Sequence, residues 1–380
     1  MTTYQPLPTT REERGKAIAE KEGQILRVEE NVYLVRSQSN GGNYTVTATK
    51  IGWKCTCPDH TTRGVECKHI IAVKISSAMR NQVKAKLVLE PVTITNCPSC
   101  GSESIKKAGI RHNKSGEIQR YSCVACGKLF SINVGFERMK HNPKAVTAAM
   151  QLYFGGESLR NTQRSLKLIG TVVSHQTICN WITKYTTLMK DYADNLKPNV
   201  GDTWRADEVY VKIKGDMKYL FALMDDETRY WIAQEVADTK HSHDARELFH
   251  ESKRLMGKRP NVLITDGLPA YRDAFNREFF TISNPRSAHI NAIKITGHKN
   301  EANNNKMERI NGEIRDREKV MRGLKKKDTA ILKGMQIYHN FIKPHEGLDG
   351  KTPAEACGIV VEGENKWITL IQNAAAGHIK

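Results

Sequence analysis

No stretch of about 18 consecutive apolar residues occurs in the chain, so none of it reads as a membrane-spanning helix. Met1 to Gly15 is polar and lacks the apolar centre of a secretory signal, which argues for an intracellular protein. Repeats of solenoid length and low-complexity tracts are also missing, and with them the linear-array architectures. Acidic residues are outnumbered, 41 against 59 basic ones, and the resulting charge of +18 suits a polyanionic partner. Isolated cysteines are few. Of nine, only Cys179 and Cys357 stand alone, and the other seven fall in two short clusters with metal-ligand spacing, which favours zinc over disulfides.

At 380 residues the chain is too long for one ordinary domain and should hold two to four. Two alternating runs, Ile25 to Ser37 and Tyr44 to Trp53, flank Asn40-Gly41-Gly42, which supplies the positive φ of a hairpin turn. Cys55, Cys57, Cys67 and His69 follow as C-x-C-x9-C-x-H, and the apolar stretch Ile70 to Met79 predicts a helix that fixes the histidine ring. The four positions resemble the SWIM-type zinc finger; the bland alternative is a set of scattered thiols. Further on, Cys97-Pro98-Ser99-Cys100-Gly101 and Cys123-Val124-Ala125-Cys126-Gly127 make two knuckles, with 22 residues between Cys100 and Cys123. A glycine after each knuckle permits the tight turn that lets both thiolates face one ion, and the pattern looks like a zinc ribbon. Lys106, Lys107, Arg111, His112, Lys114, Arg120 and Tyr121 between the knuckles read either as a DNA-facing hairpin or as a solvated loop.

Helical periodicity then predicts three helices, Ala145 to Phe154, Ser158 to Leu168 and Ser174 to Met189, with Ser158 and Ser174 as N-caps. The gap before Ser174 fits a helix-turn-helix whose second helix enters the major groove, with Ser174, Gln176, Thr177, Asn180 and Lys184 as DNA-facing candidates. A plain helical connector would show the same three helices.

After Pro198 the pattern becomes mixed. Strand-like runs cover Thr203 to Ile213, Lys218 to Met224, Tyr230 to Val236, Asn261 to Asp266 and Ala288 to Ile295; helices cover His241 to Met256, Tyr271 to Phe279 and the basic segment around Glu308. Three hairpin-linked strands followed by strands alternating with helices describe an α/β sheet of RNase H-like type. Asp207 within the first strand, Asp266 at the end of the fourth and Glu308 on the helix would form a site for two divalent cations, such as phosphodiester chemistry needs. All-oxygen ligands suit Mg²⁺ or Mn²⁺. Glu208 is expected on the opposite strand face from Asp207, and Asp225 and Asp226 in a turn. From Lys306 to Lys327 there are nine basic and four acidic residues, and Glu308, Asn311, Arg315 and Arg322 share one helical flank. The alternative is a solvated helix with internal ion pairs.

The segments WRADEVYVKIKGDMKYLFALMD, LITDGLPAYRDAF, NNNKMERINGEIRDREKVMRGLK and YHNFIKPHEGLDGKTPAEACGI resemble the DDE transposases of insertion sequences, with a retroviral-integrase-like catalytic core, over about residues 200 to 360. The resemblance implies catalytic Asp207, Asp266 and Glu308, cleavage at element ends to free 3′-hydroxyls, their joining to double-stranded target DNA, a homo-oligomer, and a prokaryotic cytoplasmic location at the nucleoid. Spacing alone would select Glu301, which has 34 residues between it and Asp266 against 41 for Glu308. Asn303, Asn304 and Asn305 favour a helix cap, however, and put Glu308 in the first turn. His298 is a further candidate near the site or a plain loop histidine. The expected organisation is a SWIM-type region (1–88), a zinc ribbon (89–138), a helix-turn-helix region (139–198), an RNase H-like core (199–345) and a helical tail (346–380). Two other classes compete: a DNA-binding regulator without chemistry, and a structure-selective nuclease.

Overall fold

The computed structural model describes residues 10–377 apart from 22, 30, 40, 50–51, 84–86, 94, 114–115, 132–133, 138, 281–287, 292–303, 322–323 and 325–328. Glu301, His298, Lys114 and Arg322 lie outside the described residues. The chain packs into two compact units. One takes Met1–Ala85, Asn199–Val211 and Met217–Ile314; the other takes Lys86–Pro198, Lys212–Asp216 and Arg315–Lys380.

The first unit opens with α1 (Arg11–Glu20), four strands β1 (Ile25–Glu29), β2 (Val32–Arg36), β3 (Asn43–Thr49) and β4 (Gly52–Cys55), then α2 (Pro58–Arg63) and α3 (Lys68–Val83). The strands form an antiparallel meander. The run expected as one strand, Ile25 to Ser37, divides into β1 and β2, because Asn31 takes a φ of 70° that asparagine tolerates at a turn. Val35, Val46, Ile70 and Val73 close a small core with Ile18 from α1. Gly15 sets the approach of α1 to α3: a Cβ there would sit 2.7 Å from Ile71 Cγ2.

The same unit holds most of a five-stranded sheet: β9 (Thr203–Ile213), β10 (Asp216–Asp225), β11 (Trp231–Ala237), β12 (Val262–Thr265) and β13 (Ala288–Asn291), interleaved with α7 (Ser242–Met256) and α8 (Pro269–Glu278) and followed by α9 (Asn305–Met321). Strand order is β11-β10-β9-β12-β13. β10 and β11 are antiparallel, whereas β12 runs parallel to both β9 and β13. A three-strand meander extended by two parallel strands with helical crossovers is the RNase H-like fold. Its strands are apolar because both faces are covered: Trp204, Phe221, Leu263, Phe249 and Tyr271 are all fully buried. The N-terminal meander is tied to this sheet by the Thr203 hydroxyl donating to the Arg27 carbonyl and by an Arg27–Glu227 ion pair at 3.4 Å.

The second unit contains β5 (Leu87–Leu89), β6 (Ile105–Asn113), β7 (Gly116–Cys123), β8 (Leu129–Ser131), α4 (Pro143–Phe154), α5 (Leu159–Leu168), α6 (His175–Asn195), α10 (Ala330–Ile337), a π-helical turn (Tyr338–Ile342), α11 (Pro353–Ala356), β14 (Ile359–Val361) and α12 (Lys366–Gly377). β6, β7 and β8 form an antiparallel sheet beside the knuckles. Ser158 and Ser174 cap α5 and α6 through their hydroxyls. α6 continues six residues past the expected end at Met189, since Tyr185, Met189 and Ala193 keep a buried face. The C-terminal stretch is not wholly helical, as β14 pairs in parallel with β5.

Candidate functional site

Two sulfur-rich clusters are assembled almost entirely by local chain geometry. In the first, Cys55 ends β4, Cys57 precedes α2, and Cys67 and His69 bracket the start of α3. His69 Nδ1 lies 3.9 Å from the sulfurs of both Cys55 and Cys67, and one ligand atom from each of the four residues falls within 4.8 Å of the others. Tetrahedral zinc with bonds of about 2.3 Å would space its ligand corners about 3.8 Å apart, so the donor set fits the ion. A hydrogen bond with Cys55 outweighs burial and, aided by His69 and the Ile70 backbone, holds Cys67 at about 3, which supplies a thiolate.

In the second cluster the sulfurs of Cys97 and Cys126 are 3.8 Å apart and those of Cys100 and Cys123 are 3.5 Å apart. Each knuckle closes through the glycine N–H on the first cysteine carbonyl, with φ of 73° at Gly101 and 69° at Gly127. A side chain at either position would strain the turn. Both four-residue groups therefore match the donor chemistry and spacing of a closed structural metal site.

The carboxylate cluster is built differently. β12 pairs with β9 only as far as Ile264 opposite Arg205, and two residues further on Asp266, just past the end of β12, and Asp207, within β9, come side by side. Asp266 Oδ1 accepts the Leu268 N–H at 3.1 Å, which fixes the turn into α8. Asp207 Oδ1 accepts the Glu208 N–H at 3.0 Å.

Three polar anchors hold helix α9, two on this strand and one on the turn after β10. Asn304 donates to the Ala206 carbonyl at 3.4 Å, Asn311 to Asp207 Oδ2 at 2.9 Å, and Lys306 to Asp226 Oδ1 at 2.8 Å. Met307, Ile310 and Ile314 bury the apolar stripe of the helix. Residues 304, 308 and 311 recur at helical spacing, so Glu308 shares the side whose amides touch the Asp207 strand. It lies in the first turn, as its sequence context predicted.

One ligand atom each from Asp207, Glu208 and Asp266 falls within 4.8 Å of the others; Glu308 does not join that trio at this separation. Its charge still reaches the site. Burial first, then the charges of Glu208 and Asp266 and, more weakly, Glu308 push Asp207 up to about 7. At an effective dielectric of ~20, two carboxylates about 5 Å apart repel by ~3 kcal/mol, and a bound cation would reverse that term.

Glu208 departs from the sequence expectation. It was placed on the opposite face from Asp207, yet its carboxylate turns toward the acidic trio. β9 has no β12 neighbour beyond Arg205, so a side chain with two methylenes can round the strand there. Asp226 also does more than make a turn: fully buried, it pairs with Arg205 at 2.5 Å and with Lys306. Burial opposes its charge, but Arg205 and Lys306 outweigh burial and lower its pKa. Alternation could not reveal either role, because both depend on where a neighbouring strand stops or which cation arrives from a distant segment.

On α6, Gln176, Asn180 and Lys184 are exposed at successive four-residue steps, and Thr177 is half-buried beside the Ser174 cap. Gln176 donates to Asn180 at 3.0 Å, and the Lys184 ammonium lies 5.1 Å from the Tyr185 ring centroid. Arg315 is exposed on α9. In the ribbon-like hairpin Lys106, Lys107, Arg111 and His112 are exposed on β6.

Residues 201–345 match the family model of a DDE domain. An uncharacterized 48.3 kDa protein of insertion element ISM1 from Methanobrevibacter smithii is 26% identical over 193 residues, 47% of this chain and 46% of that protein. The transposase for insertion sequence-like element IS431mec of Staphylococcus aureus is 27% identical over 143 residues, 37% of this chain and 62% of the relative. The chain thus spans about half to three fifths of the length of these curated relatives. Among solved structures, the HTLV-2 integrase catalytic core domain in complex with magnesium is 21% identical, covering 43% of this chain and 99% of that one with a TM-score of 0.32.

Proposed function

We propose that the chain is a DNA transposase that cleaves the ends of an insertion sequence and joins the freed 3′-hydroxyls to target DNA. The observation that supports this reading most strongly is the convergence of Asp207, within β9, and Asp266, just past the end of neighbouring β12, inside a stretch matching a DDE domain, with α9 tied to β9 by Asn304 and Asn311. Asp207, Asp266 and Glu308 are the proposed ligands of Mg²⁺ or Mn²⁺, whose oxygen-only donor set suits a hard cation. Such an ion, when bound, supplies charge neutralisation at the phosphodiester and activation of the attacking hydroxyl.

The chain's own residues bind and orient. Arg315 on α9 would bind DNA phosphates, and Arg322, outside the described residues, is proposed for the same role. Gln176, Thr177, Asn180 and Lys184 on α6 would read or grip the element end as a recognition helix does. Cys55, Cys57, Cys67 and His69 form a SWIM-type zinc site in this reading, and Cys97, Cys100, Cys123 and Cys126 a zinc-ribbon site. The relatives' transposase names and the +18 charge support double-stranded DNA as the partner, acted on by an oligomer at the nucleoid.

Asp207→Asn, Asp266→Asn and Glu308→Gln are each expected to reduce Mg²⁺- or Mn²⁺-dependent cleavage of labelled end DNA at least ~100-fold with binding retained. Full activity in Glu308→Gln, with loss in Glu301→Gln, would move the third role to Glu301. Incubation with supercoiled target separates the classes: joined products support a transposase, cleavage without joining a nuclease, and binding alone a regulator.

A further inference from the structure

The acidic group contains one member that the DDE pattern does not assign. Glu208 has a side chain only 5% exposed, and it is clamped from two directions. Tyr271 donates its hydroxyl to Oε2 at 2.7 Å, and Lys240 donates its ammonium to Oε1 at 2.7 Å. Both clamps are themselves immobilised. Tyr271 is fully buried between Phe221 and Phe249, with ring centroids 6.0 and 6.1 Å away. The Lys240 ammonium sits 5.0 Å from the Tyr210 ring centroid and 4.9 Å from that of Tyr219. Core packing therefore holds a third carboxylate within 4.8 Å of Asp207 and Asp266, where mutual repulsion opposes it.

A second observation points to a ligand at the same place. Asn311 is only 2% exposed, its amide nitrogen is bonded to Asp207, and its Oδ1 is buried without a hydrogen-bond partner among the described residues. A buried amide oxygen is a hard donor that a cation would satisfy.

We infer that Glu208 is a further carboxylate of this metal centre, a direct ligand that sets divalent-cation affinity together with Asp207 and Asp266. The inference rests on the proposed reading of those two aspartates as metal ligands. Each Glu208 oxygen keeps a lone pair beyond its present hydrogen bond, so Tyr271 and Lys240 can orient the group while it coordinates. Lys240 would also lower the charge that the three acids present to one another.

The test is Mn²⁺ titration of the full-length, zinc-loaded protein, reading free Mn²⁺ by electron paramagnetic resonance. Glu208→Gln keeps the size of the side chain but removes its charge and one of its two acceptor oxygens, and should weaken Mn²⁺ about 10- to 100-fold. Tyr271→Phe should weaken it by less, with thermal melting of the zinc-loaded protein before Mn²⁺ addition confirming the fold. Wild-type affinity in Glu208→Gln, alongside loss in Asp207→Asn and Asp266→Asn, overturns the inference and leaves the proposed function standing. Wild-type affinity in all three removes the metal-centre reading itself. Should Glu208→Gln fail to fold, Glu208→Asp serves, and full affinity there likewise overturns the inference.

Discussion

The sulfur clusters and the carboxylate cluster gather potential cation ligands in opposite ways. Cys97, Cys100, Cys123 and Cys126 come from two five-residue knuckles on one hairpin, and Cys55, Cys57, Cys67 and His69 from a span of 15 residues. The carboxylates come from two strands and a helix spread over a hundred residues. In each sulfur cluster four donor atoms lie within 4.8 Å of one another, the donor number of a structural zinc site. In the carboxylate centre three like charges crowd together, Asp266 is exposed, and Glu308, exposed on α9, stands outside the trio.

That contrast breaks most visibly on metal removal. Stripping zinc, or Cys97→Ser with Cys123→Ser, should unfold the ribbon-like hairpin, because ~10 kcal/mol of apparent binding energy is coupled to folding in small zinc modules. Hydrogen exchange over residues 95–131 would report it. Chelating Mg²⁺ alone should leave exchange across the five-stranded sheet unchanged, and a sheet that melts with magnesium removal would erase the distinction.

The next effect is on the scaffold of the carboxylate centre. Asp226→Asn removes the buried negative charge that pairs with Arg205 and Lys306 and should cost ~3–5 kcal/mol in denaturant unfolding. Because Arg205 and Lys306 hold the Asp226 pKa below its ordinary 3.8, its stabilisation is fully present above that value and fades as pH falls below it. The variant should therefore flatten that part of the acid-unfolding curve, and an unchanged curve would show that the ion pair does not carry α9.

The smallest change is expected on α6. Lys184→Ala should weaken end binding uniformly across sequences and lower the salt slope by about one, measured by fluorescence anisotropy at several ionic strengths. A slope equal to wild type would take Lys184 off the DNA.

Much of the site was legible. Cysteine spacing marked both sulfur clusters, since a tetrahedral ion constrains residues only a few positions apart. Strand and helix periods located β9, β12 and α9, and the asparagines before Glu308 located its first turn. The division of Ile25 to Ser37 into two strands was not legible, because Asn31 signals a turn only when its φ is known. Glu208 was misplaced for a related reason: alternation gives the face of a strand but not the point where its neighbour ends.

By itself the sequence determined the metal chemistries on offer, the order of strands and helices, and the positive charge that calls for a polyanion, because each follows from residue type and local period. Only the tertiary structure decided that the N-terminal meander joins the unit of the five-stranded sheet, that Tyr271 and Lys240 clamp Glu208 beside two aspartates, and that Asp226 is an ion-paired core residue. Those outcomes depend on which distant surfaces meet and how far each is removed from water, and a linear pattern does not carry that information.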